Sequence, residues 1–71
     1  MSVDLNNVIE IARYTLLDKH LVATSRLEEA LGYDSLTHLQ LVLELEKHSG
    51  KKLVGDLAET ATLLEVSTRF A

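Results

Sequence analysis

The sequence predicts a single all-α domain over residues 1–71, folded as a small helical bundle. Apolar residues recur at helical spacing along the chain, and no segment shows the strict alternation of a half-buried strand. Leu, Val, Ile and Ala dominate the apolar content of 46%, whereas aromatic residues reach 4% and proline is absent. This mixture favours helices over a sheet.

Length and charge limit the classes of function that the chain can have. With 71 residues and no cysteine, it is one marginally stable domain without disulfides or thiolate metal sites. The net charge of −4 argues against nucleic-acid binding, which requires a positive face. No apolar run approaches the roughly 18 residues of a membrane span, and the N-terminus lacks a signal-peptide pattern. We therefore expect a cytoplasmic monomer that binds neither membranes nor nucleic acids.

The first helix is predicted over residues 3–17, with Ser2 or Asp4 as its N-cap. A long polar connection follows, in which Ser25 and Glu28 have the spacing of a capping box. A connection of this length in a small domain is usually functional or packed by its own side chains. The helix would bury one face, because its apolar residues recur at i, i+3, i+4 and i+7: Leu5, Val8, Ile9, Ala12 and Leu16.

The second helix is predicted from Ser35 to His48. Asp34 or Ser35 is expected to cap its start, because short polar side chains accept hydrogen bonds from the first free N–H groups. Gly50 is expected in the left-handed conformation just after its end.

Two helical segments are predicted after the second helix. A short helical turn is expected over residues 56–61. The last helix is predicted to begin at Thr62, with Glu65 in the reciprocal position of a capping box. Its apolar stripe would consist of Leu63, Val66 and Phe70.

The second helix carries more apolar side chains than one buried face requires. They span roughly 220° on a helical wheel, whereas a surface helix needs about 100°. We expect the core to receive Leu41, Val42 and Leu45. Glu46 also lies in the apolar arc, and because carboxylates are rarely buried unpaired, the side near it is expected to reach solvent.

The remaining apolar residues of this helix, Leu36, Leu39 and Leu43, are expected to form an exposed docking ridge. Exposed apolar patches of this kind tend to mark interaction sites. The alternative is that a small bundle surrounds the helix almost completely. The residues expected to edge the docking ridge and to contact partners with it are Gln40, Glu46 and Lys47.

The segment Gly32-Tyr33-Asp34-Ser35-Leu36 resembles the modification motif of the acyl carrier and peptidyl carrier protein family, Gly-x-Asp-Ser-Leu. Residues 27–31 resemble the family's approach to this motif, and residues 39–46 resemble the helix that follows it. Residues 62–65 resemble the start of the family's closing helix. The resemblance therefore covers nearly the whole chain.

The resemblance implies a four-helix bundle with a long first loop and a short third helix. It implies that Ser35 accepts 4′-phosphopantetheine from coenzyme A, through a phosphopantetheinyl transferase and Mg²⁺. Asp34 and Leu36 flank the attachment site, and Asp34 would help to present Ser35 to the transferase. Gly32 lacks a side chain, which could let the transferase approach closely.

The same resemblance implies a carrier and not an enzyme, because the reactive thiol belongs to the cofactor. That thiol would hold an acyl or aminoacyl group as a thioester. The further partners implied are the enzyme that loads the arm and the synthase or transferase enzymes that use the cargo. No catalytic residue and no metal ligand is implied for this chain.

The chain departs in charge from the common bacterial fatty-acid carriers. Thr37 and Gln40 stand where those carriers have carboxylates, and Lys51 and Lys52 stand in their acidic loop. Basic partner enzymes would be steered less strongly onto such a surface. We therefore expect a specialised pathway of polyketide, nonribosomal peptide or fatty-acid-like biosynthesis.

Three other interpretations stay open from the residues alone. A non-modified helical interaction module would bind a partner helix through the docking ridge. An enzyme would need a base and an orienting group beside Ser35. His38 and His48 lie about 15 Å apart along one helix, so they cannot share a metal. A helix-turn-helix DNA binder would read bases with the second helix, which has Lys47 as its only Lys or Arg. His38 is expected to be partly buried and hydrogen-bonded, with contact to a sequestered acyl chain as the alternative. Tyr33 is either a surface residue or a contact for the arm or for a partner.

Overall fold

Three α-helices and one 3-10 turn form the regular structure of residues 3–71, the part of the chain that this computed structural model describes. The helices are α1 (Leu5–Thr15), α2 (Ser35–Ser49) and α3 (Leu63–Ser67), and the 3-10 turn is η1 (Leu27–Glu29). The all-α prediction is therefore confirmed for these residues. None of their helices is long and apolar enough to cross a membrane.

Helix α1 is shorter at both ends than the predicted 3–17. Asp4 is the N-cap, and its Oδ1 accepts a hydrogen bond of 3.0 Å from the backbone N–H of Asn6. Ser2, the alternative cap, lies outside the described residues. The chain leaves the helix through Leu17, which adopts a left-handed φ of 54°.

Helix α2 begins at the predicted residue and ends one residue later than predicted. Asp34 is its N-cap, and Gly50 follows its end with a left-handed φ of 70°. Only glycine adopts this conformation without a steric cost. Both predicted ends of the helix are thus confirmed to within one residue.

The helical turn predicted over residues 56–61 is shorter than predicted and is not a helix. A single turn stands there, closed by a hydrogen bond of 3.1 Å from Ala61 N–H to Ala58 C=O. The carbonyls of Glu59 and Ala61 instead accept hydrogen bonds from the N–H groups of Glu28 and Leu27, both at 3.0 Å. The segment is therefore held against η1 and does not continue as a helix.

Two predicted caps have opposite outcomes. Thr62 and Glu65 form the predicted reciprocal box at the start of α3. The box predicted from Ser25 and Glu28 is wrong by one residue, because Glu29 Oε1 accepts the N–H of Arg26 at 2.6 Å.

The core lies where α1 packs against both α2 and α3. Helix α2 contributes Leu41 and Leu45, which are fully buried as predicted, while Val42 is half-buried. Phe70 is also buried, but α3 ends before it, and it is placed by an isolated bridge to Leu53. The other fully buried large side chains are Leu16, Leu27, Leu63, Val8 and Val66.

Asp18 organises the long connection between α1 and α2. Its carboxylate is buried and accepts hydrogen bonds from two backbone N–H groups, those of His20 at 3.0 Å and Leu31 at 3.2 Å. Arg13 adds a hydrogen bond of 2.8 Å from Nε to the carbonyl of Leu21. These contacts fix the loop that leads to Ser35.

Candidate functional site

Ser35 is the first residue of α2, and its side chain is exposed. The N-cap residue Asp34 accepts a hydrogen bond of 2.8 Å from the N–H of Thr37 through Oδ1. In return, Thr37 Oγ1 accepts a hydrogen bond of 2.9 Å from the N–H of Asp34. This reciprocal cap fixes the backbone on both sides of Ser35, so its hydroxyl is held at a defined place at the mouth of the helix.

The other serines of the described residues differ from Ser35 in exposure and in bonding. Ser67 is buried, and Ser25 and Ser49 are partly buried. The hydroxyls of Ser49 and Ser67 donate to backbone carbonyls, and that of Ser25 accepts a backbone N–H. Within residues 3–71, Ser35 is the exposed serine, and its Oγ makes no hydrogen bond. Its hydroxyl is the one free to react with a large partner.

The first backbone N–H groups of α2 are also free among the described residues. Thr37 N–H is used by the cap and His38 N–H bonds to the carbonyl of Asp34, but the N–H groups of Ser35 and Leu36 have no acceptor. Free N–H groups and the positive end of the helix dipole favour an anion at this position. A phosphate attached to Ser35 would lie beside them.

Gly32 has a packing role that differs from the one expected from the sequence. Its N–H donates to the carbonyl of Leu16 at 2.9 Å. A Cβ at this position would lie 2.6 Å from that carbonyl oxygen and 3.0 Å from Cβ of Leu17. The missing side chain therefore lets the loop before Ser35 contact the end of α1, and this contact alone accounts for glycine here.

Tyr33, which lies just before α2, forms a pair with His38 in the first turn of the helix. The Tyr33 hydroxyl and Nδ1 of His38 share a hydrogen bond of 2.8 Å, and the rings meet edge to face. Both side chains are partly buried, which confirms the expectation for His38. Burial raises the pKa of Tyr33 above its ordinary value of 10.0, and the negative charges of Glu59 and Glu28 raise it further.

The docking ridge is exposed on the outer face of α2. Leu36, Leu39 and Leu43 retain 63%, 55% and 54% of their accessible surface, respectively. Gln40 beside them is exposed too. On the opposite face, Leu41 and Leu45 have no exposed surface. The bundle therefore does not surround α2.

Glu46 differs from the other residues expected at the docking ridge. Only 20% of its side chain is exposed, and Oε2 accepts a hydrogen bond of 3.1 Å from the N–H of Leu53. Its Oε1 lies 3.8 Å from Nζ of Lys52. The carboxylate thus fastens the loop after α2, and little of it is left for a partner to contact. Its position in the apolar arc reflects this internal contact and not access to solvent.

A groove between α1 and α2, which the sequence did not predict, runs alongside the docking ridge. One wall is formed by Tyr14 of α1 and by Leu17 just after it, and these side chains retain 85% and 72% of their surface. We call it the α1–α2 groove; it has a volume of about 470 Å³. Its remaining lining residues are Thr15, Thr37, Gln40, Leu43 and Glu44.

Comparisons of the chain with protein-family models, curated proteins and solved structures give no significant match. The function is therefore inferred from the chain's own residues and from the geometry around Ser35.

Proposed function

We propose that this chain is a monomeric, cytoplasmic acyl or peptidyl carrier protein, with a 4′-phosphopantetheine arm on Ser35. In this proposal a phosphopantetheinyl transferase attaches the arm, a loading enzyme charges it, and synthase or transferase enzymes use its cargo. The carrier-like four-helix arrangement is part of the proposal, with the turn at residues 58–61 standing where the family has its short third helix.

The observation that carries the proposal is the state of the Ser35 hydroxyl. It is exposed and unbonded among the described residues, whereas the hydroxyls of Ser25, Ser49 and Ser67 are committed to the fold. A serine whose role was only structural would be expected to bond to a neighbouring group, as those three do. The reciprocal cap of Asp34 and Thr37 satisfies the helix end without using Ser35.

The surroundings of Ser35 suit the product of the modification. Ser35 Oγ would form a new bond to the phosphorus of coenzyme A that carries the pantetheine. The bond from that phosphorus to the adenosine bisphosphate would break, and the serine proton would pass to a base of the transferase. The resulting phosphodiester would carry one negative charge beside the free N–H groups of Ser35 and Leu36.

Asp34 has two compatible roles in this proposal. Its Oδ1 holds the helix start through Thr37 N–H, and its side chain is exposed next to Ser35. An exposed carboxylate there can approach the Mg²⁺ of a transferase, since Mg²⁺ prefers oxygen ligands. The arm, when bound, supplies a thiol for thioester chemistry, and the protein supplies its position.

The docking ridge supports the part of the proposal that concerns partners. Its three leucines are each more than half exposed and begin one residue after Ser35. Burial of this surface would bring an enzyme to the base of the arm. Both carboxylates of α2 contact other groups of the chain. Oε2 of Glu44 lies 3.4 Å from Nε2 of His48, and Oε2 of Glu46 accepts a hydrogen bond from the N–H of Leu53. This supports partners that recognise apolar surface more than acidic charge, as a specialised biosynthetic pathway would allow.

The second candidate is a non-modified helical interaction module. The exposed docking ridge favours it as well, because apolar anchors at i, i+3 and i+7 are typical of helix recognition. The two functions differ in what they require of Ser35.

Incubation with coenzyme A and a broad-specificity phosphopantetheinyl transferase separates the two candidates. We expect the intact mass to rise by one phosphopantetheine, and Ser35→Ala to abolish the rise. Ser25→Ala is the matched control and should be modified as the wild type is. An unchanged wild-type mass, with a known carrier modified in the same tube, would refute the carrier function and favour the module.

A further inference from the structure

Leu17 occupies the position just after α1 at which many helices end in glycine. The N–H of Asp18 donates to the carbonyl of Arg13 at 3.0 Å. The N–H of Leu17 donates to the carbonyl of Tyr14 at 3.4 Å. These two hydrogen bonds form a Schellman motif, which requires a left-handed residue at the position of Leu17. Leu17 adopts that conformation with a φ of 54°, although its Cβ makes it unfavourable.

The side chain of Leu17 does not offset this backbone strain through burial. It retains 72% of its accessible surface, so it gains little from the core. Glycine would form the same motif without strain, because it has no Cβ. Stability is commonly lost in this way where an exposed side chain serves a function, and strained residues cluster at such sites. Leu17 therefore marks a surface at which its side chain is used.

Leu31 is brought next to Leu17 by contacts of the backbone, and it is 82% exposed. Its N–H donates to Oδ2 of Asp18 at 3.2 Å. The N–H of Gly32 donates to the carbonyl of Leu16 at 2.9 Å, and a Cβ on Gly32 would lie 3.0 Å from Cβ of Leu17. We call Leu17 and Leu31 the leucine pair. Both side chains are thus presented to solvent from a backbone that is fixed on each side.

The leucine pair lies close enough to Ser35 to be covered by an enzyme that acts there. Leu31 is four residues before Ser35, so their Cα atoms are at most about 14 Å apart. An interface of standard size covers about 800 Å² on each partner, which is a patch of roughly 16 Å radius. The docking ridge supplies on the order of 200 Å² of apolar surface. An enzyme that binds around Ser35 must therefore cover further surface, and Leu31 lies within that radius.

We propose that the leucine pair is a second docking surface, which the phosphopantetheinyl transferase covers when it modifies Ser35. This inference rests on the carrier function proposed above. It adds an apolar contact outside α2 through which that partner recognises the chain. The left-handed Leu17 lowers the stability of the free protein and places an apolar side chain against the bound enzyme.

Leu17→Gly tests the proposal, because relief of strain and loss of the side chain act on different quantities. We expect the melting temperature to rise by about 5 °C. We expect the KM of a broad-specificity transferase for the protein to rise about tenfold with kcat unchanged, since binding alone is weakened. Leu31→Gln should raise KM similarly without raising the melting temperature. Val54→Gln is the matched control, because Val54 is 57% exposed but follows the far end of α2, and it should leave KM unchanged.

Direct contact is measured on the Ser35→Ala protein, which cannot be modified. Methyl spectra of leucine- and valine-labelled protein are recorded with and without the same transferase and coenzyme A. We expect the methyl signals of Leu17 and Leu31 to shift together with those of the docking ridge. The methyl signals of Val54 should stay in place.

The outcomes separate this inference from the carrier function. Wild-type protein that is modified, with an unchanged KM for Leu17→Gly and Leu31→Gln, would overturn the inference and leave the carrier function intact. A rise in KM without the methyl shifts would indicate an indirect effect and would overturn it as well. A Leu17→Gly protein less stable than the wild type would show that the side chain serves the fold, with the same consequence. Wild-type protein that is not modified would refute the carrier function itself and, with it, this inference.

Discussion

Replacement of Gly32 by alanine tests why the loop before Ser35 has its shape. The new Cβ would lie 2.6 Å from the carbonyl oxygen of Leu16, which is closer than any real contact, so the backbone must shift. Overpacking of this kind costs about 1–3 kcal/mol. The shift would also weaken the hydrogen bond of 2.9 Å from Gly32 N–H to the same oxygen, worth about 1 kcal/mol. We expect Gly32→Ala to lower the free energy of unfolding by about 2–4 kcal/mol.

Such a loss is large for a domain of this size. At about 0.05–0.15 kcal/mol per residue, the whole chain is stabilised by roughly 4–11 kcal/mol. Each kcal/mol lowers the melting temperature by about 7 °C, from an unfolding entropy of about 2 cal/mol/K per residue. Urea unfolding followed by circular dichroism measures the free energy directly, with the intact mass after transferase treatment as a second readout.

Gly50→Ala is the matched control, because Gly50 has a left-handed φ and open space around it. Its cost should be about 1 kcal/mol from backbone strain alone. The larger loss is therefore expected at Gly32, although its φ is not in the left-handed region. A Gly32→Ala protein as stable as the wild type but slow to be modified would refute the packing argument. It would restore the sequence-based view that the missing side chain serves transferase access.

Four further sets of substitutions test the site. Asp34→Ala should lose the cap of α2 and with it about 1 kcal/mol of stability. Asp34→Asn should keep the cap and slow only the modification of Ser35 by the transferase. Equal modification rates for the Asn variant and the wild type would contradict a role for the charge. Glu46→Ala leaves a backbone N–H without its acceptor and should cost about 1–3 kcal/mol in urea unfolding, whereas Glu46→Gln should be close to the wild type. The pKa of Tyr33 is raised in the folded protein, so folding favours the neutral phenol, and the stability gained is complete below pH 10.0 and is lost as pH rises through the folded pKa. Tyr33→Phe should remove this pH dependence of the free energy of unfolding and the late part of the tyrosinate absorbance titration. Leu39→Gln should change stability by less than about 0.5 kcal/mol, but Leu41→Gln should cost more than about 3 kcal/mol.

The helix ends that the sequence predicted correctly depend on local contacts. Asp34 caps α2 through a residue three positions on, and Thr62 caps α3 in the same way. The box predicted from Ser25 and Glu28 fails locally, because Arg26 and Glu29 form it instead, whereas the prediction for residues 56–61 fails because of distant partners. Residues 56–61 have the composition of a helical turn, but Nη2 of Arg69 donates a hydrogen bond of 3.0 Å to the carbonyl of Asp56, which a helix would use. Hydrogen bonds from η1, some 30 residues earlier in the chain, hold the carbonyls of Glu59 and Ala61. Periodicity and capping rules contain no information about such pairings.

In the candidate site, too, features that depend on local geometry could be predicted and features that depend on distant contacts could not. Exposure of Ser35 and of the docking ridge could be predicted, because the motif and the wheel of α2 need only local geometry. The roles of Gly32 and Glu46 could not, since each contacts another part of the chain. The left-handed backbone conformation of Leu17 could not be predicted either, because leucine rarely adopts it and no sequence pattern indicates it.

In the proposed carrier, the exposed face of α2 would let one small domain serve several enzymes in turn. Full burial of a leucine is worth about 1.5–3 kcal/mol, so covering the roughly half-exposed docking ridge would contribute roughly 3 kcal/mol in all. A gain of this size strengthens binding by about 100-fold, so a partner enzyme of the proposed carrier would be selected and would still dissociate. The docking ridge lies within about 12 Å of Ser35 along the helix axis. In the proposed carrier, docking through the ridge would therefore place the partner at the base of the arm and leave the arm free to turn into it.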